Sequence, residues 1–91
     1  MFRVEHTSQF KKDYKRAVKR GLGEGELSGV VSLLAARALL PRSMSDHSIG
    51  EGFKGCRECH IRPDMLLMYK YDAAREVLTL IRLGSHSDLF E

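Results

Sequence analysis

No apolar run in these 91 residues approaches the roughly 20 needed to span a bilayer, so a membrane protein is excluded. The opening Met1-Phe2-Arg3-Val4-Glu5-His6 lacks the apolar stretch of a secretory signal, which points to the cytoplasm. Cysteine is scarce, with two residues, and in that compartment both are expected as reduced thiols rather than a disulfide framework. There is no internal repeat, low-complexity tract or linker, so a single domain spans residues 1–91. A carboxylate cluster of the kind that holds Mg²⁺ is also missing, and no metal or other cofactor is expected. A chain this short buries a modest share of its surface, so its core should be one thin layer.

What is present reads as an ordinary globular composition, 43% hydrophobic and 30% charged. The net charge of +3 is unevenly spread. Residues 1–20 hold seven basic side chains (Arg3, Lys11, Lys12, Lys15, Arg16, Lys19, Arg20) against Glu5 and Asp13, leaving the remainder slightly acidic. That asymmetry suits an anionic partner, either nucleic acid or an acidic protein segment.

Phe2 to His6 alternates apolar and polar residues like a short strand with one buried face. Thr7 or Ser8 can cap the helix that follows, in which Phe10, Tyr14, Ala17 and Val18 form an apolar stripe. Lys11, Lys12, Lys15, Arg16 and Lys19 lie opposite, and Gly21 and Gly23 end the helix. A second helix is expected over 24–38, with Leu27, Val30, Val31, Leu34 and Ala38 facing inward and Pro41 as its stop. Residues 42–52 read as a loop. Strands over 53–61, 65–71 and 76–83 follow, with connectors short enough for an antiparallel meander. The order β-α-α-β-β-β predicts an α+β fold, a helical hairpin packed on a four-stranded, mainly antiparallel twisted sheet.

In such a meander, the first hairpin turn and the end of the last strand meet at one end of the sheet. His60, Asp64, Arg82 and His86 can therefore converge there, with His47 in the loop that enters the meander. Lys54, Cys56, Glu58 and His60 share one strand face; Arg82 shares a face with Leu78 and Leu80, which could equally be core. Cleaving RNA without a metal requires a base for the 2′-hydroxyl, an acid for the leaving 5′-oxygen, and a cation for the phosphorane-like transition state. Histidine serves as either base or acid, and arginine provides a fixed bidentate charge.

Asp46-His47, Gly52-Phe53-Lys54-Gly55, Arg57-Glu58-Cys59-His60-Ile61-Arg62-Pro63-Asp64 and Leu66-Leu67-Met68-Tyr69-Lys70 resemble the YafQ branch of the RelE superfamily. So does the tail from Arg82 to Phe90. The resemblance runs through the whole chain and is densest from Asp46 onward. It implies a RelE-like fold and a toxin that is a metal-independent endoribonuclease, cutting mRNA on the ribosome and encoded with an antitoxin. Operator DNA would be reached only through the antitoxin complex. The resemblance also assigns His47, His60, Asp64 and His86 to proton transfer or its orientation, and Arg82 to the scissile phosphate. His86 is favoured as acid, with His60 or His47 as base. Phe90 would pack at the site or contact a base, and Lys54, Lys11, Lys12, Lys15 and Lys19 would meet mRNA or ribosomal RNA phosphates. Met65 stands where the family often has Trp, so an RNA contact there would lack an aromatic plane.

Each residue also has a plainer reading. His6 is a structural residue on an edge-like strand, Asp64 a turn residue after Pro63, Arg82 an ion-pair partner and Phe90 a clamp on the tail. Met65 could plug the edge of the core, and the lysines could be a solvated helix face. Cys56-x-x-Cys59-His60 invites a zinc or redox reading, but strand parity separates the two thiols and no second ligand pair exists. The rival functions are a ParE-like toxin that binds a protein target without cutting RNA, and a catalytically dead RNA-binding module.

Overall fold

The computed structural model describes residues 1–49 and 55–90. Its elements are β1 (Arg3–His6), α1 (Ser8–Lys19), α2 (Glu24–Ala35), a 3₁₀ turn (Arg42–Met44) and β2 (His47–Ser48). After these come β3 (Cys56–Arg62), β4 (Met65–Asp72), β5 (Val77–Gly84) and α3 (His86–Phe90). The strands form one five-stranded sheet in the order β1-β5-β4-β3-β2. The meander pairs antiparallel, whereas β1 runs parallel to β5. The expected α+β architecture is present with one strand more, because residues 47–48 of the expected loop pair with Arg57 and Glu58. The tail also differs, coiling into α3, where Ser85 and Asp88 exchange backbone-to-side-chain bonds of 2.9 and 3.1 Å. Among the described residues no helix is long and apolar enough to cross a membrane.

Phe10, Ala17, Leu22, Leu27, Val30, Leu34 and Ala35 pack with Cys59, Leu67, Tyr69, Leu78, Leu80 and Leu83 as the core. Four expectations about the helices and β1 need correction. Every residue of β1 is exposed, since it is an edge strand rather than half-buried. Val18 stays 45% exposed. Arg16 leaves the solvated face and binds Asp13. The second helix stops at Ala35, not Ala38, because Arg37 turns left-handed (φ 58°). The Arg37 and Ala38 amides then bond back to Leu34 and Leu33 carbonyls, a Schellman closure normally made with glycine. The Arg37 guanidinium lies 4.3 Å from the Tyr71 ring centre and 5.3 Å from that of Phe2, cation–π contacts that offset the backbone cost.

The half of β5 beyond β1 has an exposed edge, and α1 satisfies it with side chains. The Thr7 amide makes the last backbone link, to the Leu80 carbonyl. The Thr7 hydroxyl then donates to the Ile81 carbonyl at 2.8 Å and accepts the Phe10 amide at 2.9 Å as helix cap. The Leu83 amide donates to Asp13 Oδ2 at 3.0 Å, and Arg16 Nη2 donates to the Leu83 carbonyl at 3.3 Å. Unmade, these bonds would leave buried backbone groups without partners, at about 1–3 kcal/mol each.

Burial pushes the Asp13 carboxyl up, but hydrogen bonds from Arg82, the Leu83 amide and Gln9 outweigh it and hold the group below its ordinary 3.8. A carboxyl whose pKa falls on folding stabilises the native state above the unfolded value, and that contribution is lost as pH falls through the folded value. Thermal melts between about pH 5 and pH 2 should therefore show a steep loss of stability on acidification. Asp13→Asn should melt lower at neutral pH but lose distinctly less as acid is added. Parallel curves for the two proteins would mean that Asp13 is not held as the anion.

Candidate active site

Strand register builds the site. His47 pairs with Glu58, Glu58 with Met68, and Met68 with Arg82, so these four side chains form one row across β2, β3, β4 and β5. The next row is His60, Leu66 and Gly84. A register shift sets Met68 opposite Arg82 but Tyr69 opposite Leu80. The extra residue in β5 turns Arg82 away from the face of Leu78 and Leu80, which are buried in the core. This resolves the ambiguity that simple alternation left.

His60, Pro63, Asp64, Leu66, Ser85, His86, Ser87 and Glu58 line one cleft of about 380 Å³. Three of the five expected catalytic residues thus share one cleft. His47 joins through Glu58, its Nε2 lying 2.9 Å from Oε1, while its Nδ1 is 2.6 Å from the Ser45 carbonyl. Arg82 lies in the same row but is gripped by Asp13, its Nε 2.7 Å from Oδ2 and its Nη2 3.2 Å from Oδ1. Phe90 packs on His86 with ring centres 4.9 Å apart.

The turn bearing Asp64 is anchored by Arg62, which donates to Glu26 at 2.7 and 2.5 Å and to the Gly21 carbonyl at 3.1 Å. Arg62 and the Gly23 amide together pull the Glu26 carboxyl down to about 2. The loop bearing His47 is anchored by its neighbour Asp46, which accepts two bonds from Arg57 and one from the Tyr69 hydroxyl. α3 sits close on β5 because residue 84 is glycine. A Cβ there would fall 2.9 Å from Arg16 Nη2 and from Asp88. The Ser85 amide, with Arg20 and Arg16 contributing less, draws the Asp88 carboxyl down to about 2. His86 is thereby fixed at the first position of α3.

Sequence reasoning missed two residues. Glu58 is 8% exposed, and its Oε2 has no hydrogen-bond partner among the described residues, although the side chain lines the cleft. Its place on His60's strand face was readable, but its pairing with His47 depended on the unforeseen β2. Asp13 is fully buried, and nothing in a lysine-rich helix marks it out. Lys11, Lys12, Lys15 and Lys19 are exposed and form no ion pair among the described residues, as a phosphate-facing or simply solvated surface requires. Lys54 lies outside the described residues. Cys59 is in the core, its thiol pushed up to about 12 chiefly by burial, whereas Cys56 is half-buried.

The helical hairpin on a mainly antiparallel sheet, with two histidines and two carboxylates in a cleft at one end, is an α+β fold of the RelE-like class. Residues 2–91 match the family described as the bacterial toxin YafQ of type II toxin–antitoxin systems, and the chain belongs to that family. It is 36% identical to the Escherichia coli (strain B / BL21-DE3) mRNA interferase toxin YafQ over 88 residues, covering 96% of this chain and 94% of that one. A metal-bound toxin from Helicobacter pylori superposes with a TM-score of 0.94 at 42% identity, covering 99% of this chain and 100% of that one. YafQ in the E. coli DinJ–YafQ complex superposes at 0.89 and 34% identity, with both chains fully covered. Among the described residues here, no three His, Cys, Asp or Glu side chains are grouped so as to hold a metal ion.

Met65 is 9% exposed and belongs to the core, so its packing role is visible and little of it is open to RNA. Met65→Ala should cost about 2–5 kcal/mol of stability through the cavity it leaves. RNA cleavage measured well below the melting point should stay near that of the parent. An unchanged melting temperature with cleavage lost would instead make Met65 an RNA contact.

Proposed function

We propose that the chain is an endoribonuclease, an mRNA interferase held inactive by an antitoxin, that cuts by attack of the 2′-hydroxyl on the adjacent phosphate. The observation that carries this reading is the cleft shared by His60, Asp64, His86 and Glu58 in a YafQ-family chain. The E. coli relative is named an mRNA interferase, and its assembly with DinJ is a toxin–antitoxin complex, which supports a cognate antitoxin here.

Hydrogen bonding divides the roles. A carbonyl only accepts, so the contact of His60 Nδ1 with the Pro63 carbonyl at 3.2 Å puts the proton on Nδ1. In the neutral ring, Nε2 is then an open acceptor, suited to take the 2′-hydroxyl proton. His86 protonates the leaving 5′-oxygen. Asp64, lining the same cleft, orients a histidine. The His47–Glu58 contact, 2.9 Å between Nε2 and Oε1, ties a second histidine to the carboxylate that lines the cleft. Arg82 faces the developing phosphorane charge. Phe90 keeps the His86 ring in place, and the lysines of α1 meet ribosomal RNA or mRNA phosphates, a term that weakens with salt. Every step uses side chains alone, so the chemistry proceeds without a divalent metal.

His86→Ala should slow single-turnover cleavage of a defined mRNA by roughly 10²–10⁴-fold while leaving the melting curve unchanged. A substrate with hydrogen in place of the 2′-hydroxyl at the cut site should not be cleaved at all. Undiminished cutting of that deoxy substrate would falsify the mechanism.

A further inference from the structure

We infer that Asp13 is a positioning residue for RNA cleavage, acting through Arg82. The inference rests on the reading above, in which Arg82 faces the scissile phosphate. Asp13 has no exposed surface, yet its two oxygens accept five hydrogen bonds. Oδ2 takes Arg82 Nε at 2.7 Å and the Leu83 amide at 3.0 Å. Oδ1 takes Arg82 Nη2 at 3.2 Å, Arg16 Nη2 at 3.2 Å and Gln9 Nε2 at 3.1 Å.

The fork across Nε and Nη2 fixes the plane of the guanidinium and uses one edge of it. Nη1 is left without a hydrogen-bond partner among the described residues, so its donors are available to a phosphate oxygen. Arg82 occupies the row of His47 and Glu58, so fixing its plane aims that free nitrogen relative to the histidines. The Arg82 side chain is 27% exposed, against none for Asp13, so one end of the pair is anchored and the other reaches solvent.

A merely structural task would not need an acid here. The Leu83 amide could be satisfied by a neutral acceptor, and buried ion pairs seldom outperform well-packed apolar residues in stability. A fixed guanidinium, in contrast, stabilises transition-state charge without reorganising at the moment of reaction. Arg16 extends the device. It bonds Asp13 and lies 3.7 Å from Asp88, whose carboxylate accepts the Ser85 amide at the start of the helix carrying His86. One polar stripe of α1 (Gln9, Asp13 and Arg16), with Arg20 just past its end, thus holds both the cation and the segment bearing the acid.

The test is a double-mutant cycle of Asp13→Asn and Arg82→Ala, reading kcat and KM for cleavage of a defined mRNA on ribosomes, well below the lowest melting point. Asp13→Asn keeps an oxygen for the Leu83 amide, and Arg82→Gln replaces Arg82→Ala if the latter does not fold. Asp13→Asn should lower kcat by about 10–100-fold and move KM by less than about threefold. It should add almost nothing when Arg82 is already replaced, because the two act as one unit. The Arg82 Nε–H resonance should also broaden or shift in Asp13→Asn alone. A wild-type kcat in Asp13→Asn would overturn the inference, as would an equal slowing with and without Arg82. Full activity in the Arg82 variant would instead sink the reading of Arg82 at the phosphate, whatever Asp13 does.

Discussion

The carboxylate of Asp13, buried at the edge of β5, is the constraint on which the rest of this small structure depends. β1 pairs with only the first half of β5, ending at the link between His6 and Leu80. Beyond that point the sheet would present unpaired backbone groups inside the protein, and α1 covers them with Thr7, Asp13 and Arg16. Placing an anion there brings Arg82 to it as counter-ion, because an unpaired buried charge costs far more than a paired one. The same contact that closes the sheet therefore fixes a cation at the end where the histidines gather.

The candidate site is assembled from strand register and three anchors. Arg62 on Glu26 holds the turn with Asp64, Arg57 and Tyr69 on Asp46 hold the loop with His47, and Arg20 with Ser85 on Asp88 hold the helix with His86. Each anchor lies one or two residues from the side chain it places.

Much of this was legible in the sequence, and the gaps have physical causes. His60, Asp64 and His86 were readable because a meander brings one turn and one strand end together whatever its details. Arg82 was ambiguous because alternation assumes an unbroken strand, and the irregularity opposite Met68 and Tyr69 reverses the face. Asp13 was hidden because one acid among lysines looks like a surface residue, and only the missing stretch of β1 gives it a buried partner. Met65 allows both an RNA contact and a plug at the core edge on sequence alone, and its burial in the core cluster favours the second. The stop of α2 at Ala35 follows from the aromatic contacts of Arg37, which local propensity does not contain.

Attack of the 2′-hydroxyl on the neighbouring phosphate, as proposed for these side chains, is recorded most directly in the new RNA ends. Intramolecular attack leaves a 2′,3′-cyclic phosphate, or the 3′-phosphate derived from it, on the upstream fragment, and a 5′-hydroxyl on the downstream one. Mass spectrometry of fragments from a defined mRNA cut by the purified toxin is expected to show those ends. A 3′-hydroxyl upstream with a 5′-phosphate downstream would mean that water, not the 2′-hydroxyl, is the nucleophile, and would contradict the mechanism.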